Sequence, residues 1–195
     1  MQGGAGMNRH ELINSLVKRC IQSGENIEMN MDIFDWMAGV GLYAIYKAYE
    51  VTKEQYIYDY LDNWCERNLH KAYDIKTVNS TAPMAMVLGM SKQKGQAGVG
   101  LFKVCKDMAD FTLHSAARTQ EGGLEHTVAR HEDINVKTPI FHQQIWADSL
   151  FMSCIFLAGM YEATGETAYR DESIHQMLIH FMRLQDKKTG LLGWR

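Results

Sequence analysis

Asp148 stands in the run Gln143-Gln144-Ile145-Trp146-Ala147-Asp148, which follows Gly122-Gly123-Leu124-Glu125-His126. Tryptophan, histidine, glutamine and aspartate together are the side chains of a sugar site. An indole face covers the apolar side of a pyranose ring, and amides and carboxylates bind its hydroxyls. Trp36, beside Asp35, offers a second indole. Each aspartate could equally be a plain helix cap, and each tryptophan a core residue. His126 and His131 with Glu125, Glu132 or Asp133 suggest a metal set, but their spacing matches no helical H-x-x-x-H site, so no metal is expected. Gly95-x-x-Gly98-x-Gly100 reverses the glycine order of a dinucleotide loop and follows no strand, so no cofactor is expected either.

The chain that must position these groups has 195 residues, with 20 Lys+Arg against 23 Asp+Glu and a net charge of −3. It is 46% hydrophobic and 22% charged, which excludes a disordered tail or a collagen-like fibre. The mildly acidic balance argues against a nucleic-acid partner. No run of about 18 apolar residues is present, so no membrane span is expected. Residues 1–7 lack the charged and apolar regions of a signal peptide and read as a flexible leader. Cys20, Cys65, Cys105 and Cys154 each sit in an apolar helical stretch with no C-x-x-C pair. Buried, reduced thiols in a cytoplasmic protein are the simplest expectation. The 13 methionines read as core filler.

Apolar periodicity predicts seven helices and no strand. Leu12, Ile13, Leu16, Val17, Cys20 and Ile21 mark the first, over 8–22. The second runs from Asp35 to about Glu50. Thr52 then starts a third, with Gln55 as a capping-box partner. Pro83 suits the first turn of the fourth, and Val99 to Ala109 carries the fifth. Residues 118–145 have no clear period. The last two run from Trp146 to about Ala163 and from Thr167 to Leu184. His10, His70, His114, His175 and His180 are expected on helix surfaces or edges, and His142 lies beside the glutamine pair.

A faint internal repeat links two of these hairpins. Asp35 and Tyr56 lie 21 positions apart, as do Asp148 and Tyr169. Between them stand Tyr49-Glu50-Val51-Thr52 and Tyr161-Glu162-Ala163-Thr164. Repeated helical hairpins imply a solenoid or a closed α/α toroid. Asp35 and Asp148 then open equivalent helices.

Gln143-Gln144-Ile145-Trp146-Ala147-Asp148-Ser149-Leu150-Phe151-Met152 resembles the W-x-D-[STG]-L-[FY]-M signature of the unsaturated glycuronyl hydrolases, glycoside hydrolase families 105 and 88. Asp35-Trp36-x-x-Gly39-Val40, Asn79-Ser80-Thr81-Ala82-Pro83, Glu121-Gly122-Gly123-Leu124-Glu125-His126 and Leu184-Gln185-Asp186 with Thr189-Gly190-Leu191 match in family order over 33–192. Family 105 is the closer. The resemblance implies an all-α (α/α)6-barrel, a cytosolic enzyme and no cofactor. It also implies a reaction that removes an unsaturated uronic acid from lyase-generated oligosaccharides by hydrating the C4=C5 vinyl ether. Asp148 takes the general acid/base role, with Trp36 and Trp146 lining the sugar subsite and His126 and Gln144 as substrate contacts. Asn79 stands near a position where relatives carry a second acidic residue, and an amide there holds substrate without supplying charge.

Twelve helices at about 22 residues each, loop included, need roughly 260 residues. Seven helices over 8–195 are about half of that toroid, so a C-terminally truncated domain is expected. Three outcomes follow: a fragment, a copy that pairs with another to cover its open face, or a non-catalytic sugar-binding remnant. A net negative chain does not steer an anionic sugar, and no cationic patch is evident in the sequence. The resemblance favours rhamnogalacturonan fragments as substrate, with glycosaminoglycan fragments as the alternative.

Overall fold

The computed structural model describes residues 8–23, 30–74, 76–126, 141 and 143–192. The leader 1–7 and His131, Glu132, Asp133 and His142 lie outside the described residues.

Eight α-helices are described: α1 (Arg9–Ser23), α2 (Trp36–Thr52), α3 (Gln55–Asn68), α4 (Lys71–Asp74), α5 (Met84–Lys94), α6 (Val99–His114), α7 (Ile155–Thr164) and α8 (Thr167–Leu184). Seven are the expected ones. The four-residue α4 is too short to carry a period. No strand is found among the described residues; the only β-type pairings there are isolated bridges, Arg118 with Leu124 and Gln185 with Leu192.

α5 packs on α2, α3, α6 and α7. It buries residues on nearly every side, including Met84, Met86, Val87, Leu88 and Met90, as a central helix must. Around it Phe34, Leu42, Ile45, Ile57, Leu61, Trp64, Met108, Phe156 and Met160 form one core. Phe34 stacks on Trp64 at 5.8 Å, and the Trp64 indole N–H donates to the Met31 carbonyl at 2.5 Å. That bond satisfies the one polar atom of a fully buried indole. The described methionines of this core are packing residues, as expected.

The repeat is real at the level of the turn. In the α2–α3 hairpin, Lys53 is left-handed (φ 56°) and its N–H bonds the Tyr49 carbonyl at 2.8 Å. In the α7–α8 hairpin, Gly165 is left-handed (φ 74°) and its N–H bonds the Tyr161 carbonyl at 2.8 Å. Thr52 and Thr164 each donate back four residues, to Ala48 and Met160. Each hydroxyl also accepts the N–H of the glutamate that starts the next helix, Glu54 or Glu166. Thr52 is therefore the last residue of α2, and the expected capping box at Thr52 and Gln55 does not form. A threonine hydroxyl that bonds its own i−4 carbonyl closes a helix rather than opening one.

Two further expectations are corrected. Cys20 is exposed on α1, whereas Cys65, Cys105 and Cys154 are buried, and no disulfide joins any of the four. Burial pushes the Cys65 thiol up to about 12 and the Cys154 thiol up to about 11. His10, His70, His114 and His175 are on the surface, but His180 is fully buried. It lies on the face of α8 that also buries Tyr169, Ser173 and Gln176.

Candidate functional site

The site assembles from four segments. The first is the N-terminus of α2. Asp35 caps it in extended conformation, accepting the Trp36 N–H at 2.5 Å. Trp36 is 43% exposed. Gly39, one turn on, faces a 3-10 turn over Asn79–Thr81: a Cβ there would lie 2.5 Å from the Ala82 Cβ. Only glycine permits that approach.

That 3-10 turn is the second segment. Asn79 is buried, and neither its amide nitrogen nor its amide oxygen has a hydrogen-bond partner. Two residues on, the Thr81 hydroxyl meets the Ser153 hydroxyl at 3.1 Å. This contact ties the turn to the third segment, Gln143–Cys154.

Asp148 was expected to open a regular helix. Instead two tight turns, Ser149 N–H to the Trp146 carbonyl and Leu150 N–H to the Ala147 carbonyl, lead into a π-helical turn over Leu150–Cys154. α7 begins only at Ile155. Wide turns of this kind recur at functional sites because they re-aim side chains. The Asp148 side chain is 45% exposed, while the hydroxyl of its neighbour Ser149 is buried without a partner.

The fourth segment is an arm over 115–126. Its turn closes through Thr119 N–H to the Gly123 carbonyl at 2.8 Å. Gly122 has φ 89° there, a region that favours glycine. The arm delivers His126, whose N–H bonds the Gln144 carbonyl at 3.0 Å. The His126 ring stacks on Trp146, centroids 3.8 Å apart and planes within 5°. Phe141 closes the cluster at 5.5 Å from His126 and 5.4 Å from Trp146. His126 Nδ1 lies 4.0 Å from Asp148 Oδ1 and has no hydrogen-bond partner. Burial pushes this imidazole below its ordinary value, and the Asp148 charge opposes the shift.

Of the expected site residues, the structure thus joins His126, Gln144, Trp146 and Asp148. The Gln144 side chain accepts from the Trp146 indole N–H at 3.5 Å. Asn79 reaches the group through the packing of its turn on the π-helical segment. No ring contact among the described residues joins Trp36 to the cluster. Beside the cluster is a cavity of about 440 Å³, lined by Thr119, Gln143, Ile145, Arg183 and Lys187 among others. It supplies two cations that were not evident as a patch in the sequence, although Arg183 pairs with Glu121.

Residues 10–195 match the family model described as Glycosyl Hydrolase Family 88. The chain belongs to glycosyl hydrolase family 88. Among curated relatives of this family 88 chain is unsaturated rhamnogalacturonyl hydrolase YesR of Bacillus subtilis (strain 168), 29% identical over 181 residues. That match covers 92% of this chain and 48% of the relative, so the chain spans about half the relative's length. A possible member of the GH105 family from Klebsiella pneumoniae subsp. pneumoniae MGH 78578 superposes with a TM-score of 0.79 at 26% identity, over 98% of this chain and 52% of that one. A possible GH105 member from Salmonella enterica subsp. enterica serovar Paratyphi A str. ATCC 9150 gives 0.79 at 25% identity, over 98% and 53%. The fold expectation is met: the helical hairpins of this family 88 chain are about half of the α/α barrel of these proteins.

Sequence reasoning missed Gln176 and His180. Gln176 is fully buried, accepts the Leu124 N–H at 2.8 Å and donates to the Gly122 carbonyl at 2.9 Å. His180 Nδ1 meets the Gln176 carbonyl at 2.8 Å, and its Nε2 is buried without a hydrogen-bond partner. Burial lowers the His180 imidazole, opposed by the Gln176 carbonyl, the Asp148 charge and the Trp146 backbone. The available signal was the polar row Glu172, Gln176, His180, spaced four apart on α8.

Proposed function

We propose that this chain carries the catalytic half of an unsaturated uronyl hydrolase of the rhamnogalacturonan type, and that Asp148 is its general acid/base. The observation that carries the proposal is His126 Nδ1, unpartnered, 4.0 Å from the exposed carboxylate of Asp148, beside an indole face. Asp148 gives its proton to C4 of the vinyl ether, and the positive charge that develops is shared between C5 and the ring oxygen. Water adds at C5 and its proton returns to Asp148. The resulting hemiketal opens at C5, the ring oxygen becomes the hydroxyl of a C1 hemiacetal, and that hemiacetal expels the saturated sugar. One carboxyl group suffices, because it gives one proton to C4 and is then reprotonated by the water that adds at C5; direct displacement would need two opposed ones. His126, kept neutral by burial, orients the Asp148 carboxyl. Trp146 and Trp36 cover the apolar sugar face, while Asn79 and Gln144 hold hydroxyls. Three buried thiols outside any disulfide fit a reducing cytoplasm.

The test is loss of ultraviolet absorbance of the double bond with unsaturated rhamnogalacturonan and glycosaminoglycan disaccharides. Turnover of the former, abolished in Asp148→Asn with the fold intact, is the expected result. Full activity in Asp148→Asn overturns the assignment.

A second reading rests on the 45% exposure of the Asp148 side chain: a sugar-binding remnant without turnover. Ligand-observed NMR with the same disaccharides distinguishes it, since binding with no absorbance change selects the remnant.

A further inference from the structure

His126 arrives at Asp148 on the end of the arm, and three successive N–H groups fix that end. His126 N–H is held by the Gln144 carbonyl and Glu125 N–H by the Ala117 carbonyl at 2.9 Å. Leu124 N–H is held by the side chain of Gln176, 52 positions away on α8. The first two bonds join the arm to its own neighbourhood. Among these three, the Gln176 bond is the one that ties the arm to a long helix.

The rest of the Gln176 amide is duplicated. Its nitrogen donates to the Gly122 carbonyl at 2.9 Å and to Glu172 Oε1 at 2.8 Å. Arg118 serves the same two acceptors, at 3.0 Å and 2.7 Å. Without Gln176, Gly122 and Glu172 keep a donor, and the buried Leu124 N–H alone loses its partner. The carbonyl of the same residue takes the His180 Nδ1, so one residue holds the histidine arm and fixes the imidazole that lies within the field of Asp148.

We propose that Gln176 is a positioning residue: by gripping Leu124 N–H it seats His126 against Trp146 and Asp148. The proposal rests on the site reading above but not on turnover, because His126 can be observed without substrate. A fixed ring 4.0 Å from a carboxylate requires a fixed backbone, and displacements of about 1 Å in such a constellation cost up to about a hundredfold in rate.

The test is Gln176→Met in the full chain, which keeps the length of the side chain and removes its polar atoms. Histidine side-chain NMR follows the titration of His126 in both proteins. The expected result is a His126 pKa that rises in Gln176→Met toward the ordinary imidazole value of 6.5, as the ring loses its burial. In the absorbance assay kcat is expected to fall about tenfold or more with KM changing less. A folded Gln176→Met with unchanged His126 titration and unchanged kcat overturns the proposal. Hydrogen exchange on the unmutated chain reads the grip directly. Leu124 N–H is expected to exchange as slowly as the core amides of α8, and exchange at the rate of a solvent-exposed amide overturns the proposal whether or not the variant folds. A chain with no turnover but a shifting His126 refutes the functional reading and keeps this one.

Discussion

His126 and Trp146 lie ring against ring at 3.8 Å, and that stack is where two unrelated pieces of chain become one site. His126 comes at the end of an arm that leaves α6, and Trp146 stands two residues before Asp148. The stack withdraws the imidazole from water, which is why its proton affinity is low. It also fixes the ring plane, so that Nδ1 is the nitrogen on the Asp148 side. The backbone bond from His126 to Gln144 makes the same join a second time.

Asn79 makes a counter-intuitive prediction. Its amide is buried and unpartnered, and an unsatisfied buried polar group costs about 1–3 kcal/mol. Asn79→Leu, which keeps the branching and heavy-atom count of the side chain while removing its polar atoms, is therefore expected to leave stability unchanged or raise it by about 1 kcal/mol. If Asn79 holds a substrate hydroxyl, KM rises in the same variant. Denaturant unfolding beside the absorbance assay checks both, and a strongly destabilised Asn79→Leu would mean that the amide has a structural partner.

Gly39 makes the opposite one. The site for a methyl group is already occupied by Ala82, with its backbone carbon 2.6 Å away. Gly39→Ala would raise helix propensity in isolation, yet overpacking of about 1–3 kcal/mol is expected to dominate. The variant should show a lowered thermal midpoint and reduced activity, since the displaced turn carries Asn79. A stabilised Gly39→Ala would show that the α2 contact yields easily.

What was legible in the sequence was local. The pairing of the two turns was legible because Tyr49 and Thr52 and their counterparts Tyr161 and Thr164 act within a few residues of each other, although Thr52 closes α2 where it was expected to open α3. Helix existence read well for the same reason. The start of the helix after Asp148 did not, because a π-helical turn depends on its packing against the Asn79 turn, through Ser153 and Thr81. His180 and Gln176 failed differently. A polar row on a helix normally faces water, and only the arm over 115–126, remote in sequence, converts this one into a buried brace. Cys20 failed because α1 packs mainly on α2, so much of its apolar stripe stays outside, including Leu12 and Leu16 at about half exposure.

The last prediction concerns acid. His126 and His180 are both buried, and burial holds both below the ordinary imidazole value of 6.5. In the unfolded chain they titrate near that value, so between the two pKa values the unfolded state binds more protons than the folded one. The free energy of unfolding therefore rises with pH across that window, by up to about 1.4 kcal/mol per pH unit for each group within it. The contribution is complete above the ordinary value and is lost as pH falls through it toward the folded-state value. Denaturant midpoints are accordingly expected to be highest above neutrality and to drop between pH 7.5 and 5.5. His180→Leu removes one of the two buried imidazoles, and its midpoints should fall less over the same interval. A slope equal to that of the unmutated chain would show that His180 takes up its proton as readily folded as unfolded, with the carbonyl of Gln176 and the charge of Asp148 offsetting its burial in full.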